Sequence, residues 1–148
     1  MKPSFAVIGE PTFILVADPI GVIQMPLYTA ITQEGTVSVE IKAKIAEEIT
    51  RIHTSVMKVP KNFVRVIILS YPKGSGFTGG EQAPTAALNC VLRSGHTPEE
   101  KINMLQQLRT MFQGLTGIAT DQLALSLQEI PSSNAMEMGQ IMEAVGHE

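Results

Sequence analysis

Ile41, Ile45, Ile49, Ile52 and Val56 recur at steps of four, four, three and four, while Glu40, Lys42, Lys44, Glu47, Glu48 and Arg51 fill positions between them. A period of this kind gathers the apolar side chains on one face and predicts an amphipathic helix. Ahead of it, residues 26–32 read as a short strand that ends in the Glu34-Gly35 turn. Behind it, Pro60 stops the helix, and the β-branched run Phe63–Leu69 has strand length. The first half is a β-α-β unit.

The pattern then repeats. Ala87–Arg93 reads as a strand and leads into Ser94-Gly95-His96-Thr97-Pro98-Glu99-Glu100. There Thr97 suits a helix N-cap, Pro98 the first helical position, and Glu100 the reciprocal partner of a capping box. Ile102, Leu105, Leu108, Phe112 and Leu115 supply the apolar stripe, and Gly114 and Gly117 are expected to stop the helix. Leu123, Leu125 and Leu127 alternate with Ala124, Ser126 and Gln128 in a fourth strand. Between the units, the Gly- and Pro-rich residues 73–85 read as a flexible connection. Residues 132–145, with Met136, Met138, Ile141, Met142 and Val145, read as a short terminal helix or arm. Two right-handed crossovers give an α+β or α/β fold of tandem units: a four-stranded mixed sheet with both helices on one face. The other face is expected to be apolar and to need a further layer, most simply a neighbouring copy, so a homo-oligomer is predicted.

Composition agrees with one domain that is partly covered. The 148 residues suit a single core spanning 26–148, and only 17% are charged, against about 25% in an average soluble domain. Eleven basic and 14 acidic residues give a net charge of -3, which offers nucleic acid no electrostatic attraction. Cys90 is the single cysteine, so no internal disulfide is expected and a reducing, cytoplasmic location fits. The longest uncharged stretch, Pro19–Gln33, is 15 residues broken by Pro19 and Pro26, too short for a membrane span. The apolar run Phe13–Ala17 lacks the flanks of a secretory signal, and residues 1–25 read instead as a leader or a misassigned upstream start.

Candidate chemistry is sparse when each residue is taken singly. Gly74-Ser75-Gly76-Phe77-Thr78-Gly79 matches a G-x-G-x-x-G pattern, yet Pro84 and a strand follow where a dinucleotide site needs a helix. His53, His96, His147 and Cys90 lack the helical spacing of metal ligands, so neither metal nor cofactor is expected. Alone, His53 reads as a partly buried helix histidine, Arg93 as a solvated strand end, Glu137 as a surface carboxylate, and Pro26 as a strand's first residue. Met25-Pro26 changes the picture. An initiator methionine ahead of proline is removed, so a chain starting at Met25 would open on a free prolyl secondary amine.

Met25-Pro26-Leu27-Tyr28, Glu48-Ile49-Thr50-Arg51-Ile52-His53, Leu92-Arg93-Ser94-Gly95, and Pro131 followed by Met136-Glu137-Met138-Gly139 stand in register along the chain. Together they resemble the tautomerase superfamily, oligomers of β-α-β units with a catalytic amino-terminal proline, and within it the branch containing cis-3-chloroacrylic acid dehalogenase. The resemblance implies a trimer in which Pro26 transfers the proton, His53 and Arg93 hold a substrate carboxylate, and Glu137 helps to activate water. It places His96 where the dehalogenase pattern has a second arginine, and Ser126 where it has a tyrosine.

The chemistry of Pro26 also stands on general grounds. A secondary amine is too basic to be neutral at pH 7 unless burial or a nearby cation such as Arg93 destabilises its charged form. The neutral amine could then move a proton in the keto-enol isomerisation of a small 2-hydroxyalkenoate or enolpyruvate-type acid, with Arg93 clamping the carboxylate. Hydration or hydrolytic dehalogenation of a cis-3-substituted acrylate is the alternative, and Ser126 is too short to replace a phenol there. If residues 1–25 stay attached, Pro26 is an amide and a non-catalytic oligomeric protein is expected.

Overall fold

The computed structural model describes residues 25–141. Residues 1–24, Met142, Val145 and His147 lie outside the described residues. In chain order the elements are β1 (Pro26–Gln33), α1 (Val39–Met57), β2 (Arg65–Tyr71), β3 (Phe77–Thr78), β4 (Glu81–Gln82), β5 (Ala86–Arg93), α2 (Pro98–Thr116), β6 (Leu123–Ile130), β7 (Met136–Glu137) and β8 (Gln140–Ile141). The main sheet has the order β2-β1-β5-β6. β1 runs parallel to β2 and β5 parallel to β6, and the two pairs join antiparallel through β1 and β5. This is the expected mixed sheet of tandem units. Among the described residues no helix is long and apolar enough to cross a membrane.

Local chemistry sets the helix ends. The Ser38 hydroxyl accepts from the Ile41 N–H at 3.2 Å, and α1 stops at Lys58 in the left-handed region, two residues before Pro60. The predicted capping box is formed: Thr97 accepts from the Glu100 N–H and Glu100 from the Thr97 N–H, each at 3.1 Å. Gly117 alone ends α2, whereas Gly114 lies within it. The predicted stripe on α2 is corrected at one position: Ile102 is 56% exposed, and Met104 is buried with Leu108 and Phe112. At 3.6 residues per turn, Ile102 sits about 120° around the helix from Leu108 and Met104 only about 40°.

Tyr28 and Ala30 of β1 and Leu88, Cys90 and Leu92 of β5 are buried beneath Ile45, Ile49 and Ile52 of α1 and Met104, Leu108 and Phe112 of α2. The opposite sheet face is mixed rather than uniformly apolar. Ile67 and Leu69 are about half exposed there, and Leu27, Ile31 and Val91 are half-buried among Thr29, Asn89, Ser126 and Gln128.

Both segments outside the two units carry hairpins. Residues 73–85 are an ordered connection carrying the β3–β4 hairpin, whose Gly79-Gly80 turn has φ of 60° and 82°. A two-residue hairpin turn with both φ positive favours glycine. The terminal segment is an arm but not a helix: a 3-10 turn at Ser132–Asn134 leads into the β7–β8 hairpin. Pro131 precedes that turn, and Met138 and Gly139 reverse the chain with positive φ.

Candidate active site at one end of the sheet

Strand pairing converges the candidate residues on one end of the sheet. Pro26, the first residue of β1, pairs with Leu92, so Arg93 closes β5 beside the start of β1. Leu27 pairs with Arg65 at the start of β2, and Arg93 pairs with Ile130 at the end of β6, from which the arm carrying Glu137 departs. α1 brings His53 down from its late turns, and His96 lies in the loop between β5 and α2. Pro26 is buried.

His53 is fully buried rather than partly buried. Its Nδ1 lies 2.7 Å from the Tyr28 hydroxyl, with the two rings edge-on at 86°. Burial, with a smaller contribution from the charge on His96, pushes the His53 pKa down to about 3, so the ring is neutral at pH 7. His96 is also lowered, chiefly by burial, although Glu100 and Glu129 pull the other way. Its Nδ1 stands 3.9 Å from Glu100. Glu129 fixes the loop around His96, accepting from the Gly95 N–H at 3.2 Å and pairing with Lys101.

Arg93 is 1% exposed, the reverse of a solvated strand end. Its Nε and one terminal nitrogen donate to Ser132 Oγ at 3.0 and 2.6 Å, so the arm holds the guanidinium in place. Glu137 is buried too, and its Oε1 pairs with Arg65 of β2. Sequence reasoning assigned no role to Arg65, Ser132 or Tyr28. Arg65 carried one signal, a lone cation at the head of a β-branched run, whereas nothing local marks Ser132 as an arginine anchor.

Three buried polar atoms here lack a hydrogen-bond partner: His53 Nε2, His96 Nε2 and Glu137 Oε2. Leaving such an atom unsatisfied costs about 1–3 kcal/mol, which makes the unpaired atoms at this end of the sheet a candidate ligand site. Ser126 is not in it: its hydroxyl bonds Asn89 at 2.7 Å on the exposed face of the sheet. Nor does a groove of about 510 Å³ between α1 and α2, lined by Lys44, Arg51, Asn103 and Met111, share any of these residues. Among the described residues no group of three or more His, Cys, Asp or Glu is placed to hold a metal ion.

This fold and site define a class, tandem β-α-β proteins of the tautomerase superfamily. The Tautomerase_3 family, described as "Putative oxalocrotonate tautomerase enzyme", matches residues 25–142, and the chain belongs to it. Among solved structures, native Ps01740 is 31% identical with a TM-score of 0.74, covering 75% of this chain and 99% of that one. N1, a member of the cis-3-chloroacrylic acid dehalogenase family, is 24% identical with a TM-score of 0.73, covering 80% of this chain and 84% of its own. A fused 4-OT described as an asymmetric trimer is 19% identical with a TM-score of 0.74, covering 78% and 95%. The last two show likeness of fold alone. No curated protein sequence matches.

Proposed function

We propose that this protein is a cofactor-independent tautomerase that ketonises a small 2-hydroxyalkenoate or enolpyruvate-type acid, with the Pro26 nitrogen moving the proton. The observation that carries this reading is the unpaired set of His53 Nε2, His96 Nε2 and Glu137 Oε2 at the end of the sheet where Pro26 begins β1. Imidazole N–H groups suit a carboxylate or enol oxygen, and a carboxylate oxygen suits a hydroxyl. Arg93, with His53 and His96, binds the substrate carboxylate, and the Arg93 charge destabilises the prolinium cation. The neutral amine takes the enol hydroxyl proton, the C=C electrons move to carbon C3 as C2=O forms, and the prolinium returns its proton to C3. No oxidation is involved.

The amine must be uncapped. In the described chain Pro26 follows Met25 through a trans peptide bond, and Met25 has φ of 77°. A left-handed non-glycine residue before proline costs about 1–3 kcal/mol, so cutting after Met25 relieves strain as it frees the nitrogen. On this reading the working chain starts at Pro26, with residues 1–25 a leader or upstream start. We place it in the cytoplasm as a homotrimer, supported by the exposed Ile67, Leu69, Met136, Met138 and Ile141 and by the trimeric 4-OT neighbour. Intact mass from native cells tests the terminus: a retained leader leaves a non-catalytic oligomer. In a chain started at Met25, Pro26→Ala should lose most ketonisation of phenylenolpyruvate, and undiminished turnover removes the amine from the mechanism.

One observation favours hydration or dehalogenation of a cis-3-substituted acrylate as a second reading. Arg65 holds Glu137 by Oε1, leaving Oε2 open as an acceptor for water. Ser126 weighs against it, because losing a charge-assisted hydrogen bond costs about 1.5–3 kcal/mol, or about 10- to 150-fold in rate. Turnover of a cis-3-haloacrylate equal to tautomerisation would reverse the order.

A further inference from the structure

The Tyr28 phenol has one proton and three polar neighbours within the core. His53 Nδ1 is 2.7 Å from its oxygen, Met104 Sδ is 3.7 Å away, and the buried Cys90 is the residue paired with Tyr28 across β1 and β5. That 2.7 Å separation is the usual length of a bond with an O–H donor and short for an imidazole N–H donor. The ring nitrogen is also the strongest of the three acceptors, since thioether and thiol sulfur accept weakly. Cys90, whose pKa burial pushes up to about 12, keeps its proton and adds no anion beside the phenol.

We infer that Tyr28 is a positioning residue that donates to His53 Nδ1 and so fixes the imidazole as its Nε2–H tautomer, a neutral donor aimed at the anionic part of the substrate. The opposite tautomer would send the phenol proton to sulfur and turn a bare Nε2 lone pair toward the site. As fixed, the unpaired buried Nε2 is a donor, and the oxygen it meets is a carboxylate or enolate oxygen. His53 then acts by polarising, not as a base. Tyr28 from β1 and His96 from the loop before α2 face it, and Cys90 from β5 and Met104 from α2 lie beside Tyr28. None supplies an anion that would charge the ring. Only the identity of the bound anion rests on the tautomerase reading; the tautomer itself does not.

The test is a long-range nitrogen–proton correlation spectrum of the chain started at Met25, with 15N-labelled histidine, the His53 signals being assigned by their loss in His53→Gln. The expected result is one Nε2–H tautomer, unchanged from pH 5 to pH 8. Tyr28→Phe should mix the tautomers and raise KM for a carboxylate substrate by about two- to tenfold, one neutral hydrogen bond's worth. Met104→Leu, which removes the competing sulfur, should leave the tautomer as it was and keeps the test decisive if Tyr28→Phe fails to fold. An Nδ1–H tautomer, a His53 titration near pH 6–7, an unaltered spectrum in folded Tyr28→Phe, or a tautomer change in Met104→Leu overturns the inference. The expected tautomer in a protein without turnover would sink the tautomerase reading alone, and turnover with the wrong tautomer would sink this one alone.

Discussion

Arg65→Gln withdraws the cation from Glu137, and the burial of the two partners sets what that does. The carboxylate is 4% exposed and the guanidinium 45%, so arginine keeps water while glutamate relies on it at Oε1. A fully exposed pair contributes about 0–1 kcal/mol. Stranding one charge of a fully buried pair costs about 3–5 kcal/mol. This pair falls between, near the 1.5–3 kcal/mol of a hydrogen bond to a charged group, and that is the expected loss. Adding Glu137→Gln removes the stranded charge and should recover at least about 1 kcal/mol. Urea unfolding of the two single variants and the double, at one protein concentration because assembly shifts apparent stability, measures the coupling. Single effects that add to within about 0.5 kcal/mol would show that the contact carries no energy, and the orientation of Oε2 would lose its cause.

Two further outcomes follow from the caps and the buried imidazole. Thr97→Ala removes one half of the α2 capping box and should cost about 1 kcal/mol, read as a fall of about 2–6 °C in melting temperature. His53 has a folded pKa near 3 and an unfolded value of 6.5, so the unfolded chain binds the extra proton first as pH falls. Stability should drop by up to about 1.4 kcal/mol per unit below pH 6.5, and His53→Gln should flatten that slope, with His96 supplying what remains; an equal slope would mean that His53 does not titrate on unfolding.

The fold was legible because its signals are local. The step pattern of Ile41 to Val56, the Thr97-Pro98-Glu100 start and the alternating leucines of β6 each act within one element, and the order of elements leaves few topologies. The errors fell where a distant partner decides. Ile102 looked like core because leucines and isoleucines outrank methionine on paper, but the turn of α2 gave the inner place to Met104. Residues 73–85 looked loose because glycine permits freedom, yet the Tyr71 hydroxyl donates to the Thr85 carbonyl at 2.5 Å and the two Gly φ values form a hairpin. At the candidate site the resemblance named Pro26, His53, Arg93 and Glu137. The residues that hold them, Tyr28, Ser132 and Arg65, lie 25, 39 and 72 positions away from His53, Arg93 and Glu137, beyond the reach of any periodicity.

The tandem architecture supplies its own control for the Tyr28–His53 pair. Tyr28 is the third residue of β1 and His53 the fifteenth of α1; the same places in β5 and α2 hold Leu88 and Phe112. All four are buried. One unit thus fills with hydrocarbon the place where the other keeps a phenol and an imidazole with an unsatisfied nitrogen, so the fold does not need the polar pair. Tyr28→Leu with His53→Phe copies the second unit into the first and nearly conserves the summed volume. Replacing a buried polar pair by apolar groups of similar shape is near neutral or stabilising, whereas each single change strands the other partner at about 1–3 kcal/mol. The double variant should match the parent in urea unfolding to within about 1 kcal/mol while losing the carboxylate contact proposed for His53. A loss of about 2 kcal/mol or more, with the single effects simply adding, would make Tyr28 and His53 a structural pair and remove the stability argument for a site at this end of the sheet.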